Sequence, residues 1–180
     1  VSPRWHRARM GLQFPSNFNT CEIHADGMEV GVARSQVAAQ AMNMEPTPEF
    51  LLFLDYDVLM PQDAVTKLFF CARTHPEHDV YCGGCCLKAH NPPEPLIYGE
   101  LGQGPIWDWA VGDLLTTASH GVRSVHMGLT LIRVSVFKRL VEAGLVNGDG
   151  TIMEDEPFFK TEEDRTIPNQ TRLGTEDVYF

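Results

Sequence analysis

The chain has 180 residues, of which 43% are hydrophobic and 21% charged, an ordinary composition for one globular domain. Its formal net charge of −10 argues against a nucleic-acid polymer as the main partner, because phosphate backbones are bound through surfaces rich in lysine and arginine. No stretch approaches the length of apolar sequence that spans a bilayer, so we expect no membrane span and no signal peptide. The five cysteines, an odd number, favour a reducing compartment, and we expect a cytoplasmic protein.

The predicted elements alternate between helices and strands up to residue 82. Helices are assigned where apolar residues recur at helical spacing, and strands where short apolar or β-branched runs are bounded by glycine, proline or polar residues. In chain order the elements are a helix over 3–12, a strand over 20–25, a helix over 32–42, a strand over 50–54, a helix over 62–74, a strand over 79–82, a strand over 122–134 and a helix over 136–143. Because a helix feeds a buried apolar strand, the pattern predicts an α/β fold with a mostly parallel sheet flanked by helices.

The most informative stretch is FLLFLDYDVLMP at residues 50–61. Five apolar residues lead directly to Asp55 and Asp57, and residues i and i+2 of an extended chain project to the same side. The pattern therefore predicts two carboxylates at the carboxyl end of a buried strand, where open α/β sheets bind their ligands. Carboxylates and substrate phosphates are the usual ligands of Mg²⁺ and Mn²⁺, which favours a metal–diphosphate site. The alternative left open is a solvated strand end whose carboxylates cap the next helix.

The run CGGCC at residues 82–86 ends the next predicted strand. Gly83 and Gly84 indicate either a bulge or a place where a backbone or a ligand comes close. The cysteines of this run, with His90 nearby, would suit zinc, but a structural zinc site needs four ligands, usually as two separated pairs. No second cysteine pair is present in the sequence, so a buried strand of small residues is the favoured interpretation.

Two later stretches carry further candidate residues. The loop-rich segment 88–121 contains Trp107 and Asp108, residue types that suit the face and the hydroxyls of a sugar. Tryptophans that only pin the loop to the core are an equally open interpretation. Glu176 and Asp177 stand at a predicted helix start, where carboxylates are ordinary N-terminal residues or, alternatively, include a general base held at a cleft.

Six motifs follow one another in a characteristic order. They are GVARS at 31–35, FLLFLDYD at 50–57, GG at 83–84, GLTLIR at 128–133, PFF at 157–159 and TED at 175–177. Together they resemble the GT-A fold glycosyltransferases, in particular family 2, over residues 27–180. The resemblance implies a Rossmann-like GT-A sheet flanked by helices. It also implies that residues 1–180 form a single partial domain, with the family's first strand expected before Val1 and its metal-binding histidine after Phe180.

The resemblance implies a donor side of the site. Asp57 would bind a divalent metal ion, Mn²⁺ or Mg²⁺, on the diphosphate of a UDP- or GDP-linked sugar. Asp55 would lie near the ribose or the metal. Arg34, Gly83 and Gly84 would contact the nucleotide-sugar donor.

The resemblance also implies an acceptor side. Asp177 would be the catalytic base that deprotonates the hydroxyl of a glycan or another acceptor, and Glu176 would support that acceptor. Trp107, Asp108 and Gly128 would line the acceptor site. The expected reaction transfers a sugar from the nucleotide-sugar to the hydroxyl with inversion of the anomeric centre, and a retaining outcome is left open because fold does not determine chemistry.

Two other functions remain as alternatives. An apolar strand followed by Asp-x-Asp is also similar to the signature of haloacid-dehalogenase-like phosphatases, in which the first aspartate is the nucleophile. Against this function, the motif begins only at Asp55, and no clear acidic metal motif with an upstream lysine follows it. The second alternative is a catalytically silent domain that binds a sugar nucleotide or a glycan without turnover.

Overall fold

The computed structural model of the protein describes residues 2–25, 27, 30–56, 58–84, 86–87, 94–95, 97–98 and 124–144. Its helices are α1 (Pro3–Met10), α2 (Val30–Met42), α3 (Ala64–Thr74) and α4 (Val134–Glu142). Its strands are β1 (Phe50–Leu54), β2 (Val80–Cys82), β3 (Cys86–Leu87), β4 (Glu94–Pro95), β5 (Ile97–Tyr98), β6 (Ser124–Val125) and β7 (Leu129–Arg133). None of these helices has the length and apolar character that crossing a bilayer requires.

The largest sheet has three strands in the order β1–β7–β2. At one end of the β1–β7 pair, the Val134 amide donates to the Glu49 carbonyl at 3.1 Å, and at the other end the Asp55 amide donates to the Gly128 carbonyl at 3.0 Å. Residue numbers rise along one strand as they fall along the other, so the two strands are antiparallel. The sheet is antiparallel throughout. The broad prediction of a mixed α/β chain is confirmed, and the prediction of a mostly parallel sheet is wrong.

The position of β7 explains why the sheet is not parallel. Because β1 and β2 both run opposite to β7, they run in the same direction as each other. The segment β1–α3–β2 is therefore the strand–helix–strand connection that the sequence predicts, but β7 returns between the two strands instead of leaving them adjacent. An uninterrupted apolar run such as β1 indicates burial, and burial carries no information about the direction of the neighbouring strand.

Two shorter strand pairs are also antiparallel. In the β3–β4 pair, Cys86 lies opposite Pro95. In the β5–β6 pair, Ile97 lies opposite Val125. The region predicted as one strand over 122–134 therefore includes β6 and β7, separated by residues 126–128, which belong to neither strand.

The chain divides into two compact units. The first consists of Val1–Asn17 and Leu52–Leu131, and the second of Phe18–Leu51 and Ile132–Phe180. In the first unit α3 packs on β2. Apolar side chains buried there are Phe53, Met60, Ala64, Val65, Leu68, Ala72, Tyr81, Met127, Leu129 and Leu131.

In the second unit α2 packs against α4. Ala38 and Ala41 of α2 are fully buried, as is Phe137 of α4. Small side chains on one helix let a second helix approach closely. The start of α4 is held by Arg133, whose guanidinium lies 4.7 Å from the centre of the Phe50 ring.

The helix predictions agree with the structure to within two residues at nearly every end. α2 begins at Val30 and α4 at Val134, each two residues before its predicted start. Gly144, which lies just beyond the last helix, has φ +70°, the left-handed conformation typical of that position. The strand predicted over 20–25 is wrong, since this segment has neither helix nor strand structure.

Candidate functional site

Asp55 lies directly after the carboxyl end of β1, and its backbone is held on both sides. Its amide donates to the Gly128 carbonyl at 3.0 Å. Its carbonyl accepts the indole N–H of Trp5 at 2.7 Å and the amide of Val58 at 3.4 Å. The Asp55 side chain is half-buried, and the next residue, Tyr56, is 69% exposed. A carboxylate thus leaves the end of the sheet from a backbone position that three hydrogen bonds restrain.

α1 supports this end of the sheet. The Ser2 hydroxyl caps the helix by accepting the Trp5 amide at 3.1 Å, and the Arg9 guanidinium lies 5.9 Å from the centre of the Trp5 ring. Beyond the helix, the Gln13 amide donates to the Gln62 carbonyl at 2.8 Å. The N-terminal segment thus contacts both ends of the connection between β1 and α3, at Asp55 and at Gln62. These contacts stabilise the backbone of the candidate site.

His126 joins the end of β2 to the start of β7. The Gly128 amide donates to Nδ1 of His126 at 3.0 Å, and Nε2 lies 2.9 Å from the Gly83 carbonyl oxygen. The Gly83 amide donates to the Leu129 carbonyl at 3.0 Å. His126 itself is only 7% exposed. Through these hydrogen bonds and the one from Asp55 to Gly128, three predicted site residues meet at one edge of the sheet.

The carbonyl of His126 is occupied as well. It accepts the Thr130 hydroxyl at 2.8 Å and lies 3.2 Å from the Cys82 sulfur. Cys82 is not part of a disulfide bond, and its sulfur also lies 3.1 Å from the Gly83 carbonyl. A half-buried thiol that donates to backbone carbonyls behaves as a small packing residue. The zinc interpretation of the run 82–86 is not tested, because the side chains of its last two cysteines lie outside the described residues.

Packing accounts for two of the predicted glycines. A Cβ added to Gly83 would lie 2.5 Å from Cδ2 of Leu129, and one added to Gly128 would lie 2.6 Å from Cγ2 of Val58. Both distances are too short for carbon atoms, so a side chain at either position would force its neighbour to shift. Gly84, in contrast, is exposed. Contacts of the three glycines with a donor or an acceptor stay predictions.

One further predicted site residue, Arg34, is described by the structure. Arg34 lies in α2, in the second unit, and is 6% exposed. An arginine so deeply buried needs partners, and Arg34 has interactions in the structure. The remaining predicted residues lie outside the described residues, and their roles stay predictions: Asp57, Trp107, Asp108, Glu176 and Asp177.

The chemistry of Asp55 is compatible with a divalent metal ion. In the part of the chain that the structure describes, no three or more histidine, cysteine, aspartate or glutamate side chains converge to hold a metal ion on their own. Mg²⁺ is usually bound by one or two carboxylates together with substrate phosphates, so few protein ligands are needed when the metal is shared with a diphosphate. Asp55 supplies one carboxylate, and Asp57 would supply a second two residues later.

His126 is the residue of this region that the sequence did not indicate. A single histidine before a strand has no distinguishing spacing, and its partners are backbone groups, one of them 43 positions away. Comparison of the chain with protein-family models, with curated proteins and with solved structures found no match. The functional interpretation therefore rests on the sequence motifs and on the geometry around Asp55.

Proposed function

We propose that the protein is a metal-dependent glycosyltransferase of the GT-A type, which moves a sugar from a nucleotide-sugar donor to an acceptor hydroxyl with inversion. The order of the sequence motifs supports this function. The local geometry supports it as well, because β1 and β2 run in the same direction and end at one edge of the sheet. Ligands of open α/β sheets bind at the carboxyl ends of such strands. The antiparallel β7 lies between β1 and β2, and Gly128, the residue just before it, lies at the same edge.

One observation carries the proposal. Asp55, Gly83 and Gly128 are far apart in the sequence, and each was assigned to the site from a different motif. Continuous hydrogen bonding through His126 brings the three residues to the same sheet edge. A carboxylate at this edge is a suitable start for a site that takes a metal-bound diphosphate.

The residues have distinct roles in the proposed reaction. Asp55 and Asp57 hold Mn²⁺ or Mg²⁺ together with the diphosphate of a UDP- or GDP-sugar. When bound, the metal supplies positive charge that stabilises the leaving nucleoside diphosphate. Asp177 accepts the proton of the acceptor hydroxyl, and Glu176 orients the acceptor. The chain's own contribution at Asp55 is a restrained backbone, which fixes the point from which the carboxylate projects before the ligand arrives.

The test separates binding from transfer with two substitutions. Asp57→Ala should abolish the Mn²⁺-dependent binding of UDP- or GDP-sugars, measured by calorimetry. Asp177→Asn should leave that binding unchanged and remove transfer, measured as release of nucleoside diphosphate with a panel of glycan acceptors. Asp63→Asn is the matched control, because Asp63 is a solvated carboxylate whose partner is Lys67 of α3. Unchanged affinity in Asp57→Ala would contradict the proposed metal site.

A phosphate-release assay and the binding assay above distinguish the alternative functions. Release of inorganic phosphate from simple phosphate esters, with loss in Asp55→Asn, would identify a phosphatase in which Asp55 is the nucleophile. Mn²⁺-dependent binding of a sugar nucleotide with no product from any acceptor would identify a binding domain without turnover. Inversion is read from the anomeric configuration of the product by NMR spectroscopy.

A further inference from the structure

The hydrogen bonds of His126 determine which ring nitrogen carries the proton. A backbone amide can only donate, so Nδ1, which faces the Gly128 amide at 3.0 Å, must be the unprotonated acceptor. A carbonyl oxygen can only accept, so Nε2, 2.9 Å from the Gly83 oxygen, must carry the hydrogen. His126 is therefore neutral and in the Nε2–H form. A proton on Nδ1 would place that N–H opposite the N–H of Gly128, and two donors cannot share a hydrogen bond. The hydrogen bond to Gly128 would therefore break.

This ring is a link between two strands and the candidate site. Gly128 accepts the Asp55 amide through its carbonyl while its own amide is held by His126. On the other side of the ring, Gly83 is bound through its carbonyl to His126 and through its amide to Leu129. Two consecutive hydrogen bonds therefore connect the imidazole to the backbone of Asp55 through Gly128.

We propose that His126 is a positioning residue, whose neutral Nε2–H imidazole fixes the backbone of Asp55 through Gly128. The imidazole does not itself bind the ligand in this proposal, and its effect reaches the ligand through the Asp55 carboxylate. The metal-binding consequence rests on the proposed function, whereas the linkage between His126 and Asp55 does not. Burial of the ring and use of both nitrogens by backbone groups are what a rigid link requires.

The first measurement uses the unmodified protein labelled with ¹⁵N. The ring nitrogen signals of His126 should show a protonated Nε2 and an unprotonated Nδ1 near neutral pH. A scalar coupling across the hydrogen bond should connect the Gly128 amide nitrogen to Nδ1. An Nδ1–H ring, a doubly protonated ring or the absence of this coupling would overturn the proposal.

A matched pair of substitutions then separates positioning from a general structural role. In His126→Asn the side-chain oxygen takes the place of Nδ1 and keeps an acceptor for the Gly128 amide, while the bond to Gly83 is lost. In His126→Gln the amide nitrogen reaches the place of Nε2 and keeps a donor for Gly83, while the acceptor for Gly128 is lost. Each variant thus removes one hydrogen bond, so their stabilities should fall by similar amounts.

The two variants should differ at Asp55. The backbone amide signal of Asp55 should stay near its original position in His126→Asn and move in His126→Gln, although neither substitution touches Asp55. With Mn²⁺ alone as the probe, line broadening at Asp55 should persist in His126→Asn and need about three- to tenfold more Mn²⁺ in His126→Gln. Equal shifts of the Asp55 amide in both variants, or none in either, would contradict the positioning role.

The outcomes also separate this inference from the proposed function. If Mn²⁺ affects neither the unmodified protein nor the variants, the metal site fails, and the difference between the Asn and Gln variants at the Asp55 amide still decides the positioning role. If His126→Gln does not fold, the coupling between Gly128 and Nδ1 in the unmodified protein decides it.

Discussion

Gly128 allows the packing of the candidate site to be tested with a single added methyl group. In Gly128→Ala the new Cβ would lie 2.6 Å from Cγ2 of Val58 and 3.0 Å from Nδ1 of His126. Carbon atoms pack at about 3.5–4.0 Å, so the methyl group is about an ångström too close to Val58. Val58 is β-branched and restricted at χ1, and His126 is held by two hydrogen bonds, so neither neighbour yields easily.

The expected loss of stability follows from two opposing effects. Overpacking of a closely packed site costs about 1–3 kcal/mol, and loss of the Gly128–His126 hydrogen bond would add about 1 kcal/mol. Replacing glycine with alanine lowers the entropy of the unfolded chain and offsets about 0.4–1 kcal/mol of this. The free energy of unfolding should therefore fall by about 1–3 kcal/mol, and the melting temperature by about 2–12 °C for a chain of this size.

The assay is urea unfolding at equilibrium, followed by circular dichroism. Gly11→Ala is the control, because Gly11 has a helical φ of −88° and an added Cβ would meet its nearest atoms only at 3.4 Å. Its stability should stay the same or rise by up to about 1 kcal/mol, because the unfolded chain loses entropy here too and no close contact opposes the gain. Adding Val58→Ala to Gly128→Ala should recover at least about 1 kcal/mol relative to the sum of the single changes. Gly128→Ala with unchanged stability, or with no coupling to Val58, would refute the close packing.

Three further predictions concern other contacts of the described residues. Trp5→Phe removes an indole donor to a strand-end carbonyl at 2.7 Å, so urea unfolding should show a loss of about 0.5–1.5 kcal/mol, and an unchanged midpoint would contradict a role for this bond. A hydrogen bond from the Lys67 ammonium lowers the pKa of Asp63, so the stability that this pair contributes is present above the unfolded pKa and is lost as the pH falls through the folded pKa. The difference in unfolding midpoint between the unmodified protein and Asp63→Asn should therefore shrink on acidification, and a difference independent of pH would argue against the pair. Phe137→Ala leaves a cavity at a fully buried position, so the free energy of unfolding should fall by about 3–5 kcal/mol in a thermal unfolding experiment. Phe70→Ala is the control, because this side chain is 68% exposed and its removal should change stability little. Equal losses of stability in the two variants would contradict the assigned core.

The local elements of the chain follow closely from its apolar pattern. The run of five apolar residues before Asp55 predicts β1 with its observed bounds, and helical periodicity predicts α3 through Thr74. These predictions succeed because period and length are local properties of the sequence. The direction of β7 could not be predicted in the same way, since an apolar strand has the same pattern when read in either direction.

The candidate site was predictable only in part, for a related physical reason. The position of Asp55 follows from the strand that precedes it, and the structure confirms that the aspartate stands at the end of β1. Glycines at 83 and 128 indicate that another group comes close to the backbone. The sequence does not show whether that group is a bound ligand or, as in the structure, the side chain of Leu129 or Val58. The link made by His126 depends on two backbone groups brought together by the sheet, which no spacing of side-chain types encodes.

The most direct test of the proposed metal–diphosphate site is calorimetric titration of the unmodified protein and Asp55→Asn with UDP- and GDP-sugars, each with and without Mn²⁺. Asn has the shape of Asp without its charge, so the substitution leaves the backbone hydrogen bonds of this position in place. The proposed site requires that the unmodified protein bind only with Mn²⁺ and that affinity be lower by at least about tenfold in Asp55→Asn, the loss expected when a charged ligand of the metal is removed. Binding that does not depend on Mn²⁺, or equal affinity in the two proteins, would contradict it.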